Sequence, residues 1–119
     1  MTTVVILLAL FGIKHFIADF VLQFNYMLGQ KGTYGASGGI DHAGIHGLLT
    51  ALLLLFFVTP MTATVLGLLD MILHYHIDWA KTNLSRGLST SDRRFWICLG
   101  ADQCLHYLTY ILIIGIIVL

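Results

Sequence analysis

Leu69-Asp70-Met71-Ile72-Leu73-His74-Tyr75-His76-Ile77-Asp78-Trp79-Ala80-Lys81 carries ionisable side chains at four-residue intervals inside an otherwise apolar run. At the helical period Asp70, His74 and Asp78 stand above one another on one face, with Lys81 a turn further on. Such a stripe cannot face lipid, so it reads as the wall of a buried polar site. Pairs at the same spacing recur in the other apolar segments: His15 and Asp19, His42 and His46, Asp102 and His106.

The rest of the chain sets the solvent. Of its 119 residues 58% are hydrophobic and only 10% charged, far from the soluble average, and the length fits one domain, 1–119. Four segments, 2–28, 41–58, 62–84 and 92–119, meet the requirement of about 20 mostly apolar residues for a span. The expected fold is therefore an all-α integral membrane protein, a bundle of four antiparallel transmembrane helices. A cleavable signal peptide is disfavoured, because no basic region precedes the first apolar run and no small-residue cleavage site follows it. Net charge is zero and no basic cluster is present, which argues against nucleic acid as a partner. Cys98 and Cys104 lie on different faces of the last helix and read as apolar filler.

Along the chain, helix 1 presents His15, Asp19 and Gln23 on one face, with Lys14 beside it, and is expected to end near Gly29. Glycines at 29, 32, 35, 38 and 39 then mark a flexible connection. Asp41 is the expected N-cap of helix 2, Thr59 and Pro60 the cap and first position of helix 3, and Asp92 the cap of helix 4. Helix 4 carries Asp102, Gln103, His106 and Tyr110 before a bare aliphatic end. Lys31, Lys81, Arg86, Arg93 and Arg94 all fall in or beside the first and third loops, so those loops are expected on the cytoplasmic side and both termini outside.

Depth gathers the pairs. Counted from the cytoplasmic helix ends at about 1.5 Å per residue, Asp19, His74, Asp78 and Asp102 fall at roughly 9 to 15 Å, His15 and His106 near 20 Å and His46 at about 7 Å. Lys14, Asp19, Asp70, Asp78 and Asp102 are then charges at membrane depth, each costing at least about 2.5 kcal/mol if uncompensated. Lys14 and Asp70 share a depth of about 21 Å and are expected to form a structural ion pair. The carboxylates left over call for a divalent cation. His and Asp suit zinc, and the expected ligands are His15, Asp19, His46, His74, Asp78, Asp102 and His106. Gln23, Lys81 and Gln103 are the expected substrate-binding groups around them. The blander alternatives are that His76, off the stripe, is a hydrogen-bonded packing residue and that Tyr107 and Tyr110 are packing or network partners rather than catalysts; His42 is open between the two.

His15-x-x-x-Asp19-Phe20-x-x-Gln23, a histidine at the head of helix 2, His74-x-x-x-Asp78-x-x-Lys81 and Asp102-Gln103-x-x-His106 together resemble the domain of unknown function 3307 family, small membrane proteins of bacteria and phages. The resemblance covers nearly the whole chain. It implies a multi-pass protein of the bacterial inner (cytoplasmic) membrane and a shared polar site, and it implies no reaction. The motif style is also distantly similar to that of bacterial membrane-bound metal-dependent hydrolases.

The function expected first is a metal-dependent hydrolase acting on a lipid or lipid-linked substrate from the cytoplasmic leaflet. Asp19, Asp78 and Asp102 supply the catalytic carboxylates, one of them taking the proton of a metal-activated water, and Lys81 binds an anionic head group. Two other readings stand beside it. One is a proton or metal-ion conductor, which would need a homo-oligomer to make a pore. The other is a non-catalytic bacterial or phage membrane module whose metal or ion-pair network only fixes the bundle.

Overall fold

In the computed structural model, which describes residues 1–119, the chain forms five α-helices and no strand. These are α1 (Thr2–Phe16), α2 (Asn25–Gln30), α3 (Ser37–Leu54), α4 (Pro60–Leu84) and α5 (Arg93–Val118), with one π-helical turn, Ile17–Val21, continuing α1. The first helix does not run unbroken to residue 28 as expected. The Leu22 amide reaches back five residues to the Ile17 carbonyl at 2.9 Å, and Phe24 is extended at φ −92° and ψ 160°. Gln23 then donates its side-chain amide to the Asp19 carbonyl at 2.8 Å, satisfying a backbone acceptor that the break would orphan.

The second long helix also begins earlier than Asp41. Its first turns are capped from outside by Gln30, whose Oε1 accepts from the Gly38 amide at 2.7 Å and from the Ser37 hydroxyl at 3.3 Å. Gly38 and Gly39 are thus helical, and Asp41 instead accepts from the Tyr26 hydroxyl at 3.1 Å. Helix α4 starts as its sequence requires, with Pro60 at the first position and the Thr62 amide donating to Thr59 Oγ1 at 3.3 Å. Asp92 precedes α5, but its carboxylate accepts from the Ser89 amide and hydroxyl rather than from the helix.

The four long helices stand at the corners of a square, α1 and α4 each flanked by α3 and α5. α1 and α4 therefore face each other across a diagonal, and only side chains join them. The closest crossing is α3 on α4, where a Cβ added to Gly67 would come within 2.6 Å of the Gly47 carbonyl oxygen and 2.8 Å of Ala51 Cβ. One end of the bundle is filled by Leu7, Phe11, Leu54, Ala63, Leu66, Ile113 and Ile114. Polar residues fill the other end.

Two helical stretches are long and apolar enough to cross a membrane, Thr2–Val21 and Arg93–Val118. The other two expected spans fall short by composition because α3 and α4 carry so much of the polar cluster. Neither cysteine is core filler in the sense expected, since Cys98 is half-buried and Cys104 exposed.

The α3–α4 crossing predicts that Gly67→Ala destabilises the protein by about 1–3 kcal/mol, because backbone rather than a flexible side chain must move. Gly44→Ala meets nothing within 4 Å and should be neutral or gain up to about 1 kcal/mol of helix propensity. Thermal unfolding in detergent compares them; equal midpoints would contradict the close crossing.

Candidate metal centre

The four-residue spacing read from the sequence brings its residues to one point. α3 contributes His42 and His46, α4 His74 and Asp78, α5 Asp102 and His106, and the π turn after α1 contributes Asp19. All four of these imidazoles turn Nε2 inward. Asp19 Oδ1 lies 2.9 Å from His46 Nε2 and 3.1 Å from His42 Nε2. Asp78 lies 3.4 Å from His42 and from His74 through Oδ2, and 3.3 Å from His106 through Oδ1. His42 and His74 face each other nitrogen to nitrogen at 3.2 Å.

These atoms form two groups able to hold a metal ion, Asp19/His42/His46/His74 and His74/Asp78/His106. A tetrahedral site with metal–ligand distances of about 2.0–2.1 Å has ligand–ligand edges of about 3.3–3.4 Å, close to the separations found here. The donor chemistry fits as well. Two neutral imidazoles set nitrogen to nitrogen must share a single proton, whereas two lone pairs facing one cation need none. Nδ1 of His42, His46 and His74 is buried without a protein partner, while the inward Nε2 atoms of His42 and His46 face Asp19 Oδ1, an acceptor that either a proton or a cation on that side would satisfy. The usual outer hydrogen bonds to metal-binding histidines are not built around these three.

Charge points the same way. Asp19, Asp78 and Asp102 are buried or half-buried around the cluster, and one ammonium, Lys31 Nζ at 2.8 Å from Asp78 Oδ2, opposes them. Protonating adjacent imidazoles together is a poor remedy, since His46, His74 and His106 are stacked with ring centroids 3.5 and 4.0 Å apart. Like charges at that distance in a poorly screened interior repel strongly.

His15 lies beside the two candidate groups and belongs to neither. Gln103 donates its Nε2 to Asp102 at 3.0 Å, which turns its Oε1 toward His15 Nε2 at 3.0 Å; His15 must then be the donor. That N–H also lies 3.1 Å from Asp19 Oδ2. His15 Nδ1 is left to accept from the Tyr110 hydroxyl at 2.8 Å, and Lys14 Nζ donates toward that hydroxyl at 3.4 Å. Asp102 is 3.3 Å from His106 but belongs to neither ligand group.

Behind this network Lys14 Nζ donates to Asp70 Oδ2 at 2.6 Å, and Thr50 Oγ1 donates to the same oxygen at 2.5 Å. All three residues are buried. The pair closes the diagonal between α1 and α4. His76 lies outside the site, donating from Nδ1 to the Ile72 carbonyl and accepting from the Tyr34 hydroxyl at 2.9 Å.

Three participants escaped the sequence. Lys31 read as a loop cation; nothing in its neighbourhood signalled a buried partner 47 positions away. His42, left open at the mouth of its helix, is fully buried at the centre because α3 starts at Ser37 and carries it a turn deeper. The same shift places His46 deeper than its expected 7 Å. Thr50 lies four residues beyond His46, so continuing that stripe by one turn would have found it.

A cavity of about 310 Å³ opens over the cluster. Asp19, Asp78 and Asp102 line its inner side, with Gln23, Lys31, Lys81 and Gln103 on its walls and Phe20, Leu28 and Leu99 as its apolar part.

The chain matches the family described as Protein of unknown function (DUF3307) over residues 6–119, nearly its whole length, and belongs to that family. No curated protein and no solved structure matches it.

The buried diagonal generates its own test. Lys14→Met or Asp70→Leu alone should cost about 3–5 kcal/mol, because each leaves a buried charge unopposed, and the double change should cost less than their sum. Thermal unfolding of the three variants in detergent measures the coupling; additive losses would contradict the contact.

Proposed function

We propose that this DUF3307 member is a membrane-embedded, metal-dependent hydrolase acting on a lipid or lipid-linked substrate. The observation that carries the reading is the convergence of four imidazole Nε2 atoms and two carboxylates beneath a cavity that is itself walled by two lysines. Four spans, α1 with its π turn, α3, α4 and α5, agree with the apolar side chains exposed along all of them, among them Val5, Ile13, Leu48, Leu52, Val65, Leu68, Leu108 and Ile111. At about 1.5 Å per residue, α3 is about 27 Å long and α4 and α5 nearly 40 Å, against a hydrocarbon core of about 30 Å. The basic residues at the ends of α4 and α5 then face the cytoplasm, both termini face outward, and the protein sits in the bacterial inner membrane.

The donor set contains nitrogen and oxygen but no thiolate, which suits zinc or a similar first-row divalent ion. Bound there, the ion would supply Lewis acidity and lower the pKa of a water molecule. Asp19, His42, His46 and His74 form the more complete ligand group, and Asp78 and His106 adjoin it through the shared His74. Asp102 is the group best suited to take a proton from the cavity, because it lines that space and belongs to neither ligand group. Gln103 holds Asp102 and His15 in fixed relation, one by each end of its amide. Lys81 offers a cation to an anionic head group, while Phe20, Leu28 and Leu99 offer apolar surface to the chain behind it.

The hydrogen-bonded line His15–Tyr110–Lys14–Asp70 favours proton movement as a second reading. It leads into the apolar end of the bundle, around Phe11 and Ile113, where no polar continuation follows within one chain.

Metal analysis of gently purified protein tests the proposal. Divalent metal should be bound stoichiometrically, lost in His74→Ala, and required for turnover of lipid or lipid-linked substrates in mixed micelles. Metal-free wild-type protein would sink the reading. Bound metal without turnover, but with ion flux in liposomes, would replace the hydrolase with a conductor.

A further inference from the structure

The two ligand groups share His74, and one ring nitrogen cannot serve two ions at once. If His74 completes the group with Asp19, His42 and His46, the remainder is Asp78 and His106, with Asp102 beside them at 3.3 Å from His106 Nε2. That remainder would by itself resemble the second half of a two-metal centre. It already holds a cation. Lys31 Nζ sits 2.8 Å from Asp78 Oδ2, its side chain only 11% exposed.

Lys31 is not a wandering surface lysine. The segment that follows it is tied to α4 at three points: Asn83 Nδ2 donates to the Gly32 carbonyl at 3.0 Å, the Tyr34 hydroxyl to His76 Nε2 at 2.9 Å, and the Gly35 amide to the Tyr75 hydroxyl at 2.7 Å. Its ammonium is therefore delivered to Asp78 by the fold. With neutral imidazoles, three carboxylates against this one paired ammonium leave two negative charges, since Lys81 on the cavity wall forms no ion pair with any of them. One divalent ion cancels them; two would leave an equal excess of positive charge in a buried site, which is expensive.

We propose that Lys31 stands in for a second metal ion, so that the centre binds one divalent cation and keeps Asp78, Asp102 and His106 metal-free at the cavity. This rests on the reading of the cluster as a metal site. It adds the number of ions, the half of the cluster that holds the one ion, and the residue that excludes the other. Lys31 acts as a positioning residue, a fixed positive charge that sets the occupancy of its neighbours.

The test is metal stoichiometry on protein purified in detergent and equilibrated with excess zinc, then freed of unbound ion by gel filtration. Wild type should retain one zinc per chain and Lys31→Met two, while Lys31→Arg, which keeps the charge, should stay at one. Lys81→Met removes a lysine from the same cavity without touching Asp78 and should also stay at one. Adding His106→Ala to Lys31→Met should remove the second equivalent and leave the first. Lys31→Gln provides a second neutral variant should the methionine protein fail to fold. Two zinc ions in wild type, one in both neutral Lys31 variants, or two in Lys81→Met would each overturn the role of Lys31 while leaving the metal site intact. No zinc in wild type would remove both.

Discussion

Four buried or half-buried carboxylates inside an otherwise apolar bundle, Asp19, Asp70, Asp78 and Asp102, are the constraint on which the rest of the structure depends. Each must meet a positive charge or a set of donors, because a lone carboxylate in such surroundings costs several kcal/mol or gives up its ionisation. Asp70 is answered locally, by Lys14 and Thr50. The other three share histidines and Lys31, and their demand is what draws four helices and a connecting segment onto one point.

Meeting that demand shapes the backbone around it. The π turn carries Asp19 at the point where α1 gives way, and wider turns of this kind recur at functional sites. The glycine crossing of α3 and α4 lets their backbones approach closely, which sets His46 against His74 and Thr50 against Asp70. Gln30, by capping α3 early, carries His42 inward. At the opposite end the bundle has no such burden and packs as plain hydrocarbon, with Tyr110 marking the border: its ring stacks on Phe11 at 4.9 Å while its hydroxyl serves His15.

Helical periodicity explains what was legible in the sequence. Asp70, His74 and Asp78 announce a buried face because spacing along one helix fixes direction, and the charge of Lys14 demands a partner at its own depth. The Thr59-Pro60 start is equally local chemistry. What stayed hidden depends on contacts between distant segments: Lys31 reaching Asp78, Gln30 capping α3, the break after Val21. His15, expected among the ligands, lies outside both candidate groups, and its ring nitrogens are engaged by Gln103 and Tyr110, contacts that its spacing from Asp19 does not reveal. Two of the four expected spans are long and apolar enough by themselves, and the polar cluster accounts for the shortfall of the others.

The central claim is that the histidines and aspartates converge in order to hold a cation, not merely to hydrogen-bond one another. X-ray absorption at the zinc edge, on zinc-loaded protein in detergent, addresses it most directly because it reports the ion's neighbours rather than its presence. The account predicts nitrogen and oxygen neighbours at about 2.0–2.1 Å, the outer-shell scattering of several imidazoles, and no sulfur at about 2.3 Å. A sulfur shell from Cys98 or Cys104, or a spectrum of aqueous zinc without imidazole scattering, would contradict it.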